Sequence, residues 1–168
     1  EGRNADGRLG QDGAMTIKVG DKLPEATFGV MKDGKPGSMS VTELTAGKKV
    51  ALLGAGPASL AVARDLLPMG YEVHVYDKEP KGGGFMRSQI PAFRLPESVL
   101  DEEVNLILDL GVQTHFGYEV TSMKSMLDLG YDAYFIGTGA PRGRDLELPG
   151  RREVAKHISI GIDWLSSV

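Results

Sequence analysis

From Lys49 onward, the apolar residues fall into short blocks that switch between strand-like and helix-like spacing. Val50-Ala51-Leu52-Leu53 is a continuous apolar run ending at a glycine, as a parallel strand buried on both faces would be. Residues 60–67 continue in helical fashion, with small alanines at 58, 61 and 63 to lie close on a sheet, until Pro68 and Gly70 stop them. Residues 72–76 predict a second strand, with Val73 and Val75 on one face and His74 on the other. Residues 97–110 predict a helix: Pro96 precedes it, acids fill its first turns, and Val99, Leu100, Val104, Ile107 and Leu108 give it an apolar face. A strand over 112–116, a short helix over 123–129 and a strand over 133–136 complete the alternation. It predicts an α/β fold with a mainly parallel sheet and residues 50–53 as its central strand.

The ends of the chain read differently. Residues 1–14 are polar, contain four glycines and lack periodicity; they read as a disordered leader ahead of Met15, which looks like a natural start. Residues 15–48 hold short apolar pieces (Ile17, Val19; Ala26, Phe28, Val30) broken by Gly20-Asp21, Asp33-Gly34 and Pro36-Gly37. They predict an N-terminal β segment that adds short strands at one side of the sheet. Residues 49–150 form the main unit, and residues 151–168 a linker followed by an incomplete helix around Trp164, whose apolar side would favour self-association.

Composition narrows the chemistry. The net charge of −4 offers nothing to nucleic acid or an anionic membrane. The absence of cysteine excludes a disulfide, a thiolate zinc site and a cysteine-ligated iron–sulfur cluster within this sequence. No apolar run approaches the ~18–20 residues of a membrane span, so a cytoplasmic location is expected. His74, His115 and His157 look scattered, without metal-ligand spacing. Arg142, Arg144, Arg151 and Arg152 read as a solvated basic cluster, and the seven methionines as core filling. No nucleophile–base pair stands out.

The strongest motif is Gly54-Ala55-Gly56-Pro57-Ala58-Ser59. Gly54 permits a tight turn out of the strand, and Gly56 lets a pyrophosphate approach the backbone. Pro57 suits a first helical position, and the helix then aims its free N–H groups and positive dipole end at the phosphates. The third position is usually Gly or Ala; here it is Ser59. Asp77, at the end of the second strand, can accept from both ribose hydroxyls and would repel a 2′-phosphate. The adenosine half bound there should be that of FAD or NAD rather than NADP. Gly82-Gly83-Gly84 marks backbone that turns sharply or approaches something closely, and the proline-stiffened run 90–96 presents Arg94 for a phosphate or flavin edge.

These motifs together resemble the flavoprotein family of the NADPH-dependent glutamate synthase small subunit and the flavin region of dihydropyrimidine dehydrogenase. The resemblance covers residues 49–168. It rests on Gly54-Ala55-Gly56-Pro57-Ala58, Val75-Tyr76-Asp77-Lys78, Gly83-Gly84, Ile90-Pro91-Ala92-Phe93-Arg94-Leu95-Pro96, Asp109-Leu110-Gly111-Val112 and Gly137-Thr138-Gly139-Ala140-Pro141. It implies a Rossmann-like domain that holds FAD through residues 54–59, through Asp77, Lys78, Gly83, Gly84 and Phe85, and through Arg94 and Val120. Thr138, Gly139 and Ala140 would pass near the flavin. Most members carry Glu where this chain has Asp77, one methylene shorter.

Two departures matter. The family's cysteine-rich head is replaced by a run resembling the opening of atypical two-cysteine peroxiredoxins (residues 17–24 and 44–50), without the peroxidatic Cys. A second glycine fingerprint for a pyridine-nucleotide domain is missing from the sequence. The chain thus reads as a truncated or recombined piece of a flavoprotein whose parent passes electrons from NAD(P)H to an accepting domain or subunit. The alternatives are direct NAD(H) binding in the same fingerprint, or a non-catalytic scaffold with no tight ligand.

Overall fold

The computed structural model describes residues 26–167; the expected leader, the pieces at Ile17 and Val19 and the peroxiredoxin-like run 17–24 lie outside them. Strands β1 (Thr27–Lys32) and β2 (Lys35–Ser40) pair antiparallel, with Lys32 opposite Lys35. The two-residue turn takes positive φ at both Asp33 and Gly34, which matches the twist of a hairpin. A short helix, α1 (Val41–Thr45), follows directly. Ser40 accepts from the Glu43 amide at 3.1 Å while Glu43 accepts from the Ser40 amide at 2.8 Å, a reciprocal cap that the strand-and-turn reading of this region overlooked.

The main sheet has four parallel strands in the order β5-β4-β3-β6: β3 (Lys49–Leu53), β4 (Glu72–Asp77), β5 (Gln113–Phe116) and β6 (Ala133–Ile136). β3 is central as expected, with Val50 opposite Val73 on one side and Ala133 on the other. The expectation that the N-terminal strands join this sheet is wrong, because β1 and β2 form a separate two-stranded sheet. The reason is local: β2 holds Pro36 and Gly37 with Met39 as its one aliphatic side chain besides proline, and Phe28 and Met31 of β1 are exposed. Its apolar positions, Phe28 opposite Met39 with Val30 beside them, make only a small face, and none of the hairpin's described side chains is buried.

Helix α2 (Pro57–Leu66) and helix α4 (Glu97–Leu108) cover one face of the sheet. Val50, Leu52, Val73 and Val75 are buried there with Ala55 and Ala63, while Leu60 meets Leu100 and Val104. Val99 does not belong to the packed side of α4; it is exposed. On the other face, Ala51, Leu53 and Tyr76 pack under Met126 of α5 (Met123–Leu127). Met126 is fully buried but Met31 and Met69 are exposed, so the methionines do not all fill the core. The short helices α3 (Phe85–Ser88) and α6 (Gly161–Leu165) lie outside these layers. Among the described residues, no helix is long and apolar enough to cross a membrane.

Candidate dinucleotide cleft

At the C-terminal end of β3 the chain leaves the sheet through Gly54 at φ +96°, and its amide donates to the Tyr76 carbonyl at 2.7 Å. A Cβ on Gly54 would stand 2.5 Å from the Gly137 carbonyl oxygen, so this glycine is demanded by the neighbouring chain at the end of β6. Gly56 is different. Its φ of −79° and ψ of 178° suit any residue, and a Cβ there would meet nothing nearer than the Gly137 oxygen at 4.0 Å. Pro57 then opens α2, and the first helical bond runs from the Leu60 amide to the Gly56 carbonyl at 3.0 Å. The earlier amides of that turn, at Ala58 and Ser59, have no carbonyl to reach within the helix.

A second glycine run crosses this turn. The Gly83 amide donates to the Ala55 carbonyl at 2.8 Å, and a Cβ on Gly84 (φ +54°) would come within 2.8 Å of the Gly56 Cα. The turn, this strap and the end of β6 enclose a cleft of about 660 Å³. It is lined by Gly54, Gly56, Pro57, Ala58 and Asp77, by Gly84 and Phe85, and by Phe135, Ile136, Gly137, Thr138 and Gly139. The cleft straddles β3 and β6 at the carboxyl ends of the strands. There the chain reverses its direction of travel across the sheet, the position where open α/β sheets bind ligands.

Asp77 reaches the cleft from the end of β4 with both oxygens engaged. One accepts from the Ala55 amide at 2.6 Å and the other from the Glu79 amide at 2.9 Å. The carboxylate therefore ties the glycine turn to β4 and keeps further lone pairs for a hydroxyl donor.

Other expected site residues stand apart. Ala55 and Ser59 are fully buried behind the turn; the Ser59 hydroxyl faces Gly137 and finds no hydrogen-bond partner among the described residues. Gly83, within the strap, faces away from the cleft toward Leu100 and Arg87. Lys78 is exposed beside Glu79, and Ala140 is exposed past the cleft wall. Val120 packs against Ala51, Leu53, Tyr76 and Met126, under the sheet rather than in the cleft. Arg94 is exposed in the turn that follows Pro91 and is not a wall residue. Phe135, Ile136 and Gly137 are the wall residues the sequence reading missed. The glycine after strand 133–136 was visible, but the pairing of β6 with β3 was not.

The histidines are less scattered than their sequence positions imply. His74 and His115, on neighbouring strands, stand 3.0 Å apart (Nδ1 to Nε2), and the other His74 nitrogen lies 2.8 Å from Glu72. This chain runs on the sheet face away from α2, beside Tyr76 and Tyr131. No group of three or more His, Cys, Asp or Glu that could hold a metal is present among the described residues. The basic cluster also divides: Arg151 grips Asp145 with two bonds of 3.2 Å, while Arg152 is fully solvated.

A parallel sheet with a glycine turn feeding a helix at the switch point defines a Rossmann-like dinucleotide-binding domain. Residues 52–128 match the family described as the NAD(P)-binding Rossmann-like domain, and the chain is similar in sequence to several oxidoreductase subunits. It is 42% identical over 119 residues to the NAD-dependent dihydropyrimidine dehydrogenase subunit PreT homolog of Salmonella typhi, covering 70% of this chain and 28% of that one. It is 42% identical over 106 residues to the glutamate synthase [NADPH] small chain of Azospirillum brasilense, covering 62% and 22%. In fold it is similar to FprA of Mycobacterium tuberculosis, solved in complex with NADPH, with a TM-score of 0.62 and 19% identity over 71% of this chain and 28% of that one. The chain thus spans under a third of the length of these relatives.

Proposed function

We propose that residues 49–150 hold FAD, as part of an oxidoreductase in which NAD(P)H supplies electrons and a further domain or subunit accepts them. The observation that carries this reading is Gly56. Neither its backbone angles nor any neighbour requires glycine, so the missing side chain serves the cleft itself. The space it leaves adjoins the N-terminus of a ten-residue helix with Pro57 at its start, where backbone amides and the dipole favour a pyrophosphate. Asp77, on the same wall, suits a ribose with free hydroxyls and opposes a 2′-phosphate. When bound, the flavin supplies the hydride and electron chemistry; the chain's own residues bind and orient it.

The family description favours a second reading, in which the same cleft takes NAD(H) directly. Titration of the purified chain with FAD, NAD and NADP, followed by calorimetry or ligand fluorescence, separates the two. The first reading requires FAD to bind most tightly and NADP to bind weakly. Preference for NAD over FAD would establish the second, and binding of none would leave the domain a scaffold.

A further inference from the structure

The strap over the cleft consists of three successive glycines, which have the largest conformational entropy to lose and no side chains to hold them. Besides the Gly83 amide's bond to the Ala55 carbonyl, the residues that flank them add a hold of their own. Arg87 donates through Nε to the Gly82 carbonyl at 2.9 Å, through one terminal nitrogen to Glu97 at 2.9 Å and through the other to Asp101 at 2.6 Å. From the opposite end of the run, Lys81 reaches the same two carboxylates at 2.9 and 3.0 Å. Glu97 and Asp101 stand one turn apart on α4, and α4 is fixed to the core by Leu100 and Val104.

We infer that Lys81 and Arg87 close a buckle on α4 that fixes Gly84 and Phe85 as a wall of the cleft, with Arg87 the positioning residue for the dinucleotide. Arg87 does not line the cleft, so its effect on a ligand passes through the strap. In the Arg87–Asp101 pair the side chains are 20% and 33% exposed, so it is screened less than a solvated pair such as Arg64–Asp65. Three bonds in three directions require a planar guanidinium; a lysine can grip a carboxylate but cannot also hold the Gly82 carbonyl. The same contacts keep the Asp101 carboxyl below its ordinary range, through Arg87 first and Lys81 second.

The effect on FAD rests on the reading above, but the buckle itself is measurable without ligand. Amide hydrogen exchange on the ligand-free chain should show residues 81–86 of Arg87→Gln exchanging about tenfold faster or more, with β3 and α2 unchanged. FAD affinity, read by flavin fluorescence, should fall by a similar factor. Arg87→Lys should recover part of both, and Asp101→Asn should move both the same way by less. Unchanged exchange over residues 81–86 in Arg87→Gln would overturn the buckle. Faster exchange with unchanged FAD affinity would overturn the positioning role. A wild-type chain that retains no FAD would overturn the flavin reading and the positioning role together, leaving the exchange result to decide the buckle.

Discussion

Three glycines around the cleft illustrate how one residue type serves different ends. Gly54 and Gly137 are required by the protein, since a side chain on the first would strike the Gly137 carbonyl and one on the second the Ser59 hydroxyl. Gly54→Ala and Gly137→Ala should therefore lower stability in urea unfolding whether or not ligand is present. Gly56→Val should leave the unfolding midpoint close to that of the parent chain, because its Cβ position is open and its backbone ordinary. Ser59 provides a test of opposite sign. Its hydroxyl is buried and without a partner among the described residues, so Ser59→Ala should raise stability by about 1–3 kcal/mol, the cost of a stranded polar group. A lower midpoint for Ser59→Ala would mean that the hydroxyl holds something between α2 and the end of β6. The turn at Gly54 and the place of Gly56 at the head of α2 were legible in the sequence because a strand precedes them and a helix follows. That of Gly137 was not, since it depends on β6 returning beside β3.

Elements with strong periodicity were read correctly, and those decided by partners were not. β3, β4, β6 and the body of α2 and α4 declare themselves through apolar runs and flanking Gly or Pro. Helix α1 escaped because five residues carry no periodicity, although Ser40 and Glu43 hold the spacing of a capping box. Ser40→Ala should cost about 1 kcal/mol if α1 is cooperative with the rest, or only loosen α1 in hydrogen exchange if it is not. The parallel register of β4 and β5 also brings His115 beside Tyr76 and His74, an arrangement no local pattern reveals. Burial, and then the charge of His74, hold His115 below its ordinary 6.5. Folding thus favours its neutral form; the stability it contributes is complete above that ordinary value and is lost as pH falls through the lowered one. Thermal midpoints should accordingly drop from about pH 7 to about pH 5, and His115→Phe, which keeps a ring on Tyr76, should flatten that part of the drop. An unaltered pH profile in His115→Phe would show that His115 does not carry the loss; the carboxylates Glu72, Asp101 and Asp132, held below ordinary values of 4.5, 3.8 and 3.8, lose their contribution only at lower pH than this window.

The assembled chain has a glycine cleft on one rim of the sheet and, beyond the strap, a second hollow of about 680 Å³ where Trp164 and Leu165 of α6 meet Ile90 and Phe93. Phe93 is 86% exposed and Ile136, at the cleft mouth, 64%. These surfaces belong to a chain that spans 28% or less of its relatives. Assayed as residues 1–168 alone, the chain is expected to bind without efficient turnover. Holding hydride donor and flavin in register supplies as much as ~7–11 kcal/mol of barrier reduction, and no second glycine fingerprint is present here to hold the donor. Steady-state assays with NADH or NADPH, FAD and an artificial acceptor should give rates near the free-flavin background. Rates well above it would show that one domain, or an oligomer of it, completes the site. The most direct measurement, however, concerns Gly56 alone: gel filtration of the wild-type chain and Gly56→Val after incubation with FAD, with the flavin spectrum read across the protein peak. Flavin should travel with the wild-type chain and be absent from an equally folded Gly56→Val; flavin retained equally by both would contradict the assignment of the cleft.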